Sequence, residues 1–222
     1  MLRRGLWPVC VALTLFGMAA STGIWLAMRL LVEAEEARRT AESMAVTDAL
    51  TGAFNRHHFF IAGERRFAHA RRLHEPASVL LLDVDDFKAV NDLHGHALGD
   101  RVLIAVGQAC MACMARMRES DLLARYGGEE FVALLPATTR THALQVAERI
   151  RAAVAGLQFS TDAGGSVRPT VSVGVAMLTT ESSTEPSIFD GLLAQADSAM
   201  YRAKCGGKNR VDTGTGLARN LH

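Results

Sequence analysis

Three carboxylates follow an apolar run in Leu81-Leu82-Asp83-Val84-Asp85-Asp86-Phe87-Lys88. A carboxylate at the end of a buried strand is costly unless it is paired or holds a cation. Hard oxygen donors suit Mg²⁺, which takes one or two protein carboxylates and completes its shell with water and substrate phosphates. Asp83 is therefore read as a metal ligand. Asp85 and Asp86 have a plainer use as caps of the next helix, and Asp86 is read that way. A second pair of carboxylates stands in Arg125-Tyr126-Gly127-Gly128-Glu129-Glu130-Phe131. Two glycines at a turn allow positive φ and close approach of a ligand to the backbone. Lys204 and Lys208 flank a third glycine pair, Gly206-Gly207, where ammonium groups suit a triphosphate. Each segment alone has an ordinary reading: a helix cap, a solvated hairpin, or lysines at a helix C-terminus. Together they suggest phosphoryl or nucleotidyl transfer assisted by a metal.

The apolar pattern shows which elements carry these groups. Ala77 to Val84, bounded by Pro76 and Asp85, is predicted as a buried strand. Leu122 to Tyr126 and Phe131 to Leu135 are predicted as two strands joined at Gly127-Gly128. Helices are expected over Asn55–Leu73, Leu98–Met117, Thr141–Val154 and Ser187–Lys204, the last stopped by Gly206-Gly207. Val167 to Met177 reads as one strand of period two, and Val211 begins a short final strand. Hairpins mixed with helices imply an α+β domain over residues 48–213, with helices around a mainly antiparallel central sheet. Residues 214–222 are read as a flexible tail.

Composition bounds the remaining choices. Of 222 residues, 49% are hydrophobic and 21% charged, which suits a packed core rather than disorder. The net charge of +1 provides no basic field, so nucleic acid is not an expected partner. Cysteines at 10, 110, 113 and 205 are too few and scattered for a disulfide framework, which suits a reducing compartment. Cys110 and Cys113 are read as packing residues, because a structural zinc needs four ligands. The uncharged stretch from Gly5 to Met28, with Trp7 and Trp25 near its ends, predicts a transmembrane anchor over residues 1–29. A signal peptide ending near Ala19-Ala20-Ser21 is the rival, disfavoured because the apolar run continues beyond it. Arginines at both ends leave the orientation open. Leu30, Ala34, Ala37, Ala41 and Met44 recur at a/d spacing, so residues 30–47 read either as a coiled-coil linker or as a solitary helix.

Gly127-Gly128-Glu129-Glu130-Phe131 resembles the signature of the GGDEF diguanylate cyclase family, in its GGEEF form. Asp48-Ala49-Leu50-Thr51-Gly52-Ala53-Phe54-Asn55-Arg56 is similar to the family's D-x-L-T-G-L-x-N-R. Asp83 to Asp92 is similar to its D-x-D-x-F-K-x-x-N-D. Gly95-His96, Gly99-Asp100, Ala199 to Lys204 and Gly207-Lys208-Asn209 follow in the family's order. Ala49 and Ala53-Phe54 depart from the usual residues, away from the expected chemistry.

The resemblance implies a fold like the polymerase palm and the class III nucleotide cyclases. It implies a membrane-tethered enzyme that condenses two GTP into cyclic di-GMP, releasing two pyrophosphates, across a homodimer whose subunits each hold one GTP. By it Asp83, Glu129 and the Val84 carbonyl hold Mg²⁺, or Mn²⁺ in its place. Glu130 promotes deprotonation of the 3′-hydroxyl or adds a metal contact. Backbone amides near Asp86 and Phe87 hold the outer phosphates, with Lys88, Lys204 and Lys208 around them. Lys208 stands where many relatives have arginine, keeping the charge without the bidentate fork. Asn91 and Asp100 read guanine. Arg118 and Asp121 resemble the family's R-x-x-D inhibitory site for the product, with Arg149 as a secondary contact. The implied location is the bacterial inner membrane, with the catalytic domain in the cytoplasm. A catalytically silent cyclic di-GMP receptor is the alternative, for which intact metal carboxylates would be needless.

Overall fold

The computed structural model describes residues 13, 15, 18, 21, 23–33, 46–114, 120–161, 164–178 and 188–213. The chain divides into two units, Met1–Ala45 and Val46–His222. In the first, residues 23–33 are helical, and Ile24, Trp25, Leu26, Met28, Leu30, Leu31 and Val32 each expose more than half of their surface. Most of the expected anchor, the seam beyond Leu30 and the tail at 214–222 lie outside the described residues.

The second unit contains strands β1 (Phe54–Asn55), β2 (Ala77–Val84), β3 (Leu122–Arg125), β4 (Glu130–Pro136), β5 (Phe159–Ser160), β6 (Ser166–Val167), β7 (Val171–Leu178) and β8 (Val211–Thr213). Its helices are α1 (Arg56–Arg72), α2 (Phe87–His94), α3 (His96–Met114), α4 (Arg140–Ala155) and α5 (Ile188–Cys205). The main sheet runs β1-β3-β4-β2-β7-β8. Its centre is antiparallel, β2 pairing with both β4 and β7. The edge pairs β1–β3 and β7–β8 are parallel, so the sheet is mixed. Every residue of β2 is buried, which explains its unbroken apolar run.

The pleat sorts β2 onto two faces. Leu80, Leu82 and Val84 join Val102 and Val106 of α3 and Ile150 of α4. Val79 and Leu81 join Phe59 and Phe67 of α1 and Phe189 and Met200 of α5. Asp83 continues the second file and therefore emerges beneath α5. That helix lies directly on β7: a Cβ at Gly174 would collide with the Ala196 carbonyl and the Met200 amide. Helix α3 is long and apolar enough to cross a membrane, but its apolarity serves the core, where Val102, Leu103, Val106 and Cys110 are buried. Burial, with Cys113 adding to it, pushes the Cys110 thiol up to about 12, as suits a packing residue.

The strand expected over Val167–Met177 is two. Ser166–Val167 pairs with β5 in a separate small sheet, and β7 starts at Val171. Pro169, which has no N–H to give a ladder, stands in the break. Helix α3 starts at His96 rather than Leu98, because Gly95 at φ 80° turns the chain sharply out of α2.

Candidate active site

The register of β2 and β4 sets Asp83 opposite Glu130. The Val84 amide donates to the Glu129 carbonyl at 3.3 Å, so the strand end and the turn close on one another. The turn is held by the Tyr126 amide, which donates to the Glu130 carbonyl at 2.8 Å. Neither Gly127 nor Gly128 uses the positive φ that glycine allows. At Gly127 the Glu130 side chain folds back over the turn, its Oε2 2.6 Å from where a Cβ would stand.

Lys204, on the last turn of α5, places Nζ 2.7 Å from Asp83 Oδ2. Burial pushes the Asp83 carboxyl above the usual carboxylate range; Lys204 opposes this, and the charges of Glu129 and Asp85 add to it. Glu130 is also raised, by burial first and then by the charge of Asp83, with Lys204 opposing and Asp197 and Glu129 adding. Carboxylates that raise one another's proton affinity are a place where a divalent cation is welcome. Among the described residues, no group of three or more His, Cys, Asp or Glu converges as a ready-made cage. Asp83 with Glu129 and the Val84 carbonyl fits a hard cation that draws its other ligands from phosphate and water.

Asp86 occupies the N-cap position of α2 but does not cap it through its side chain. Its backbone is left-handed at φ 55°, and its carboxylate instead accepts from Lys208 Nζ at 2.6 Å. An ammonium partner wins because a charged pair outweighs a neutral amide contact. That hydrogen bond raises the proton affinity of Lys208, with burial opposing and the charges of Asp86 and Asp85 adding. The leading amides of α2, at Phe87 and Lys88, have no Asp86 side chain over them, and such a helix start suits an anion. Phe87 itself is buried and Lys88 is exposed.

Asn91 is half-buried on α2 and Asp100 is exposed on α3. The Asn91 side chain lies on the bare Cα of Gly99, where a Cβ would overlap its Oδ1. The Asn91 side chain thus reaches the residue before Asp100.

Of the expected inhibitory residues, Asp121 and Arg149 lie among the described residues. Arg118 lies outside the described residues. Asp121 is half-buried, and its carbonyl accepts from Arg66 Nη1 at 3.2 Å, beside the Ser120 carbonyl at 2.8 Å. Arg149 donates through Nη2 to the Cys113 carbonyl at 2.7 Å, tying α4 to the end of α3.

Two ties around the site were not expected from the sequence. Asp85 caps nothing: it is buried and accepts from Ser172 Oγ (2.7 Å), Thr170 Oγ1 (2.7 Å) and the Asn209 amide (3.0 Å). A buried serine within apolar Val171-Ser172-Val173 was the available signal for a nearby acceptor. Arg125 donates through Nη1 to both Asp48 oxygens at 3.3 Å, and through Nε and Nη2 to the Gly128 carbonyl at 3.1 and 2.7 Å. It thus ties the N-terminal turn, where Asp48 also accepts from the Thr51 amide and hydroxyl, to the glycine turn.

The class defined here is an α+β domain whose central hairpin brings carboxylates against lysines from a flanking helix and loop. More narrowly, the chain belongs to the family described as diguanylate cyclase, GGDEF domain, which matches residues 45–210. It is 40% identical over 181 residues to diguanylate cyclase DgcM of Escherichia coli K12, covering 82% of this chain and 41% of that protein. Against the response regulator PleD of Caulobacter vibrioides the identity is 39% over 169 residues, covering 76% of this chain and 36% of the relative. The chain thus spans about two fifths of the length of these curated relatives. The GGDEF domain of DgcB from Caulobacter crescentus, solved in complex with c-di-GMP, superimposes with a TM-score of 0.69 at 30% identity, covering 77% of this chain and 94% of that one.

Proposed function

We propose that this chain is a membrane-tethered diguanylate cyclase of the GGEEF type, joining two GTP into cyclic di-GMP as a homodimer. The observation that carries the reading is the meeting of Asp83, opposite Glu130, with Lys204, while Lys208 stands on Asp86. Relatives named as diguanylate cyclases at 40% identity support it.

Asp83 and Glu129, with the Val84 carbonyl, would hold Mg²⁺, or Mn²⁺ in its place. When bound, the metal makes the α-phosphorus more electrophilic and the 3′-hydroxyl more acidic. Lys204 and Lys208 turn from Asp83 and Asp86 to the triphosphate, exchanging carboxylate partners for phosphate oxygens. The amides of Phe87 and Lys88, at the start of α2, receive the outer phosphates, and Lys88 adds charge. Glu130 takes the proton of the attacking hydroxyl, a task suited to a carboxylate of raised proton affinity. Asn91 and Asp100 accept from the adjacent N1–H and N2–H₂ donors of guanine, a pair adenine lacks. Each subunit supplies one GTP, so the two sites must face one another.

The exposed apolar residues of the 23–33 helix support an anchor in the bacterial inner membrane, with the catalytic domain on the cytoplasmic side, where GTP and Mg²⁺ are found. Product feedback is assigned to Arg118 and Asp121. For Arg149 to join them, its bond to Cys113 must be released.

The test is product formation by the full chain with GTP and Mg²⁺, beside a Glu129→Ala/Glu130→Ala control. Cyclic di-GMP that appears with the parent and vanishes with the control is expected. No product at high protein concentration, combined with direct binding of cyclic di-GMP, would replace the enzyme with a receptor.

A further inference from the structure

We propose that Asp85 is a positioning residue that sets Lys208 against the triphosphate site. The inference rests on reading Lys208 as a phosphate ligand. Both carboxylate oxygens of Asp85 are engaged: Oδ1 accepts from Ser172, and Oδ2 accepts from Thr170 and from the backbone amide of Asn209. Its own amide donates to the Thr170 carbonyl at 2.9 Å. Asp85 is thereby fixed to the start of β7 and reaches across to the loop after α5.

That loop needs holding. Lys208 (φ 60°) and Asn209 (φ 46°) are both left-handed, a conformation that asparagine tolerates and that lysine adopts at a cost. The Lys208 amide donates to the Ala203 carbonyl at 3.1 Å, and Arg151 Nη1 donates to Asn209 Oδ1 at 2.7 Å. The Arg210 carbonyl accepts from the Val173 amide at 2.9 Å. Beside the Lys208–Asp86 ion pair, which acts on the side chain, the Asp85–Asn209 bond ties the backbone of the loop to the segment that bears Asp83 and Asp86. One buried carboxylate thus holds the backbone next to Lys208 beside the metal-holding strand end. With Asp85 removed, the loop backbone loses that hold, and Lys208 is set less firmly against the start of α2. The guanine readers, on α2 and α3, have no part in this linkage.

The test is binding of a GTP analogue with a methylene bridge between the α- and β-phosphates, in Mg²⁺, to the full chain and to D85A, K208A and D85A/K208A. GMP, which lacks the outer phosphates, is titrated in parallel, and thermal unfolding confirms that each variant is folded. D85A and K208A are each expected to weaken the analogue about tenfold, the double variant no further, and GMP affinity to stay as in the parent. Multiplying losses near a hundredfold, or an equal loss for GMP, would overturn the positioning role and leave Asp85 a general prop of the fold. If D85A does not fold, D85N carries the same cycle: its amide oxygen still accepts from Asn209 without the full charge, so a smaller loss is expected, again absent in the K208A background. A parent chain that binds neither nucleotide refutes the cyclase reading itself. A parent that binds both, with D85A indistinguishable from it, refutes this inference alone.

Discussion

Three neighbouring aspartates do three different jobs, and their surroundings decide which. Asp83 ends a buried strand beneath α5 and faces Lys204. Asp85 is enclosed by two hydroxyls and an amide, which engage both of its carboxylate oxygens. Asp86 is exposed and pairs with Lys208. The proposed base selectivity also belongs to this scale. Asp100 follows the Gly99 on which Asn91 lies, and a site built on such acceptors discriminates strongly against a base that lacks the matching donors. Asp100→Ser is expected to lower the preference for GTP over ATP on the order of a hundredfold, mainly by losing GTP. Competition between the two nucleotides in binding or turnover measures it, and an unchanged ratio would remove Asp100 from base recognition.

At the scale of elements, two contacts hold the site to its scaffold. The first is the seat of α5 on β7, where Gly174 leaves no room for a methyl group. Because the obstacles are backbone atoms of a packed helix, Gly174→Ala must push α5 away and is expected to cost about 3 kcal/mol or more. Urea unfolding reads this, and a near-neutral result would mean that α5 can shift freely. The second is the N-terminal turn. Burial acts to raise the Asp48 carboxyl, but hydrogen bonds from the Thr51 hydroxyl and amide and the charge of Arg125 outweigh it and hold it below the ordinary value. A depressed folded-state value stabilises above the ordinary carboxylate range, and the gain is lost as pH falls through the folded value. Asp48→Ala is therefore expected to destabilise by about 1 kcal/mol at neutral pH, and to differ progressively less from the parent as pH drops below about 4. Unfolding curves at both pH values check the sign, and a gap that widens in acid would contradict it.

At the scale of the whole molecule, each domain carries one set of Asp83, Glu129 and base readers, while the proposed reaction consumes two GTP. Turnover per chain should then rise with chain concentration in detergent, roughly in proportion while dimers are scarce, and level off when pairing is complete. Rates measured across a dilution series decide this, and strict proportionality of total rate to enzyme would indicate a reaction confined to one chain or a dimer that does not dissociate.

Local chemistry was strong enough for the sequence alone to determine much of this protein. The buried strand Ala77–Val84, the helix ending near Lys204 and the hairpin around Gly127-Gly128 follow from apolar periodicity and glycine placement, and each lies within a residue or two of its expected place. The ordered motifs carried family membership, because they retain side-chain types that a plain core would reject. What tertiary structure decided are the long-range partnerships. Asp85 meeting Asn209, Arg125 joining Asp48 to Gly128 and Arg149 bonding Cys113 all depend on chain segments brought together from a distance. The split at Pro169 and the parallel edges of the sheet belong with them, since strand partners are chosen by the assembled core. A side chain's type announces that it needs a partner, but only the folded chain decides which one lies within hydrogen-bonding reach.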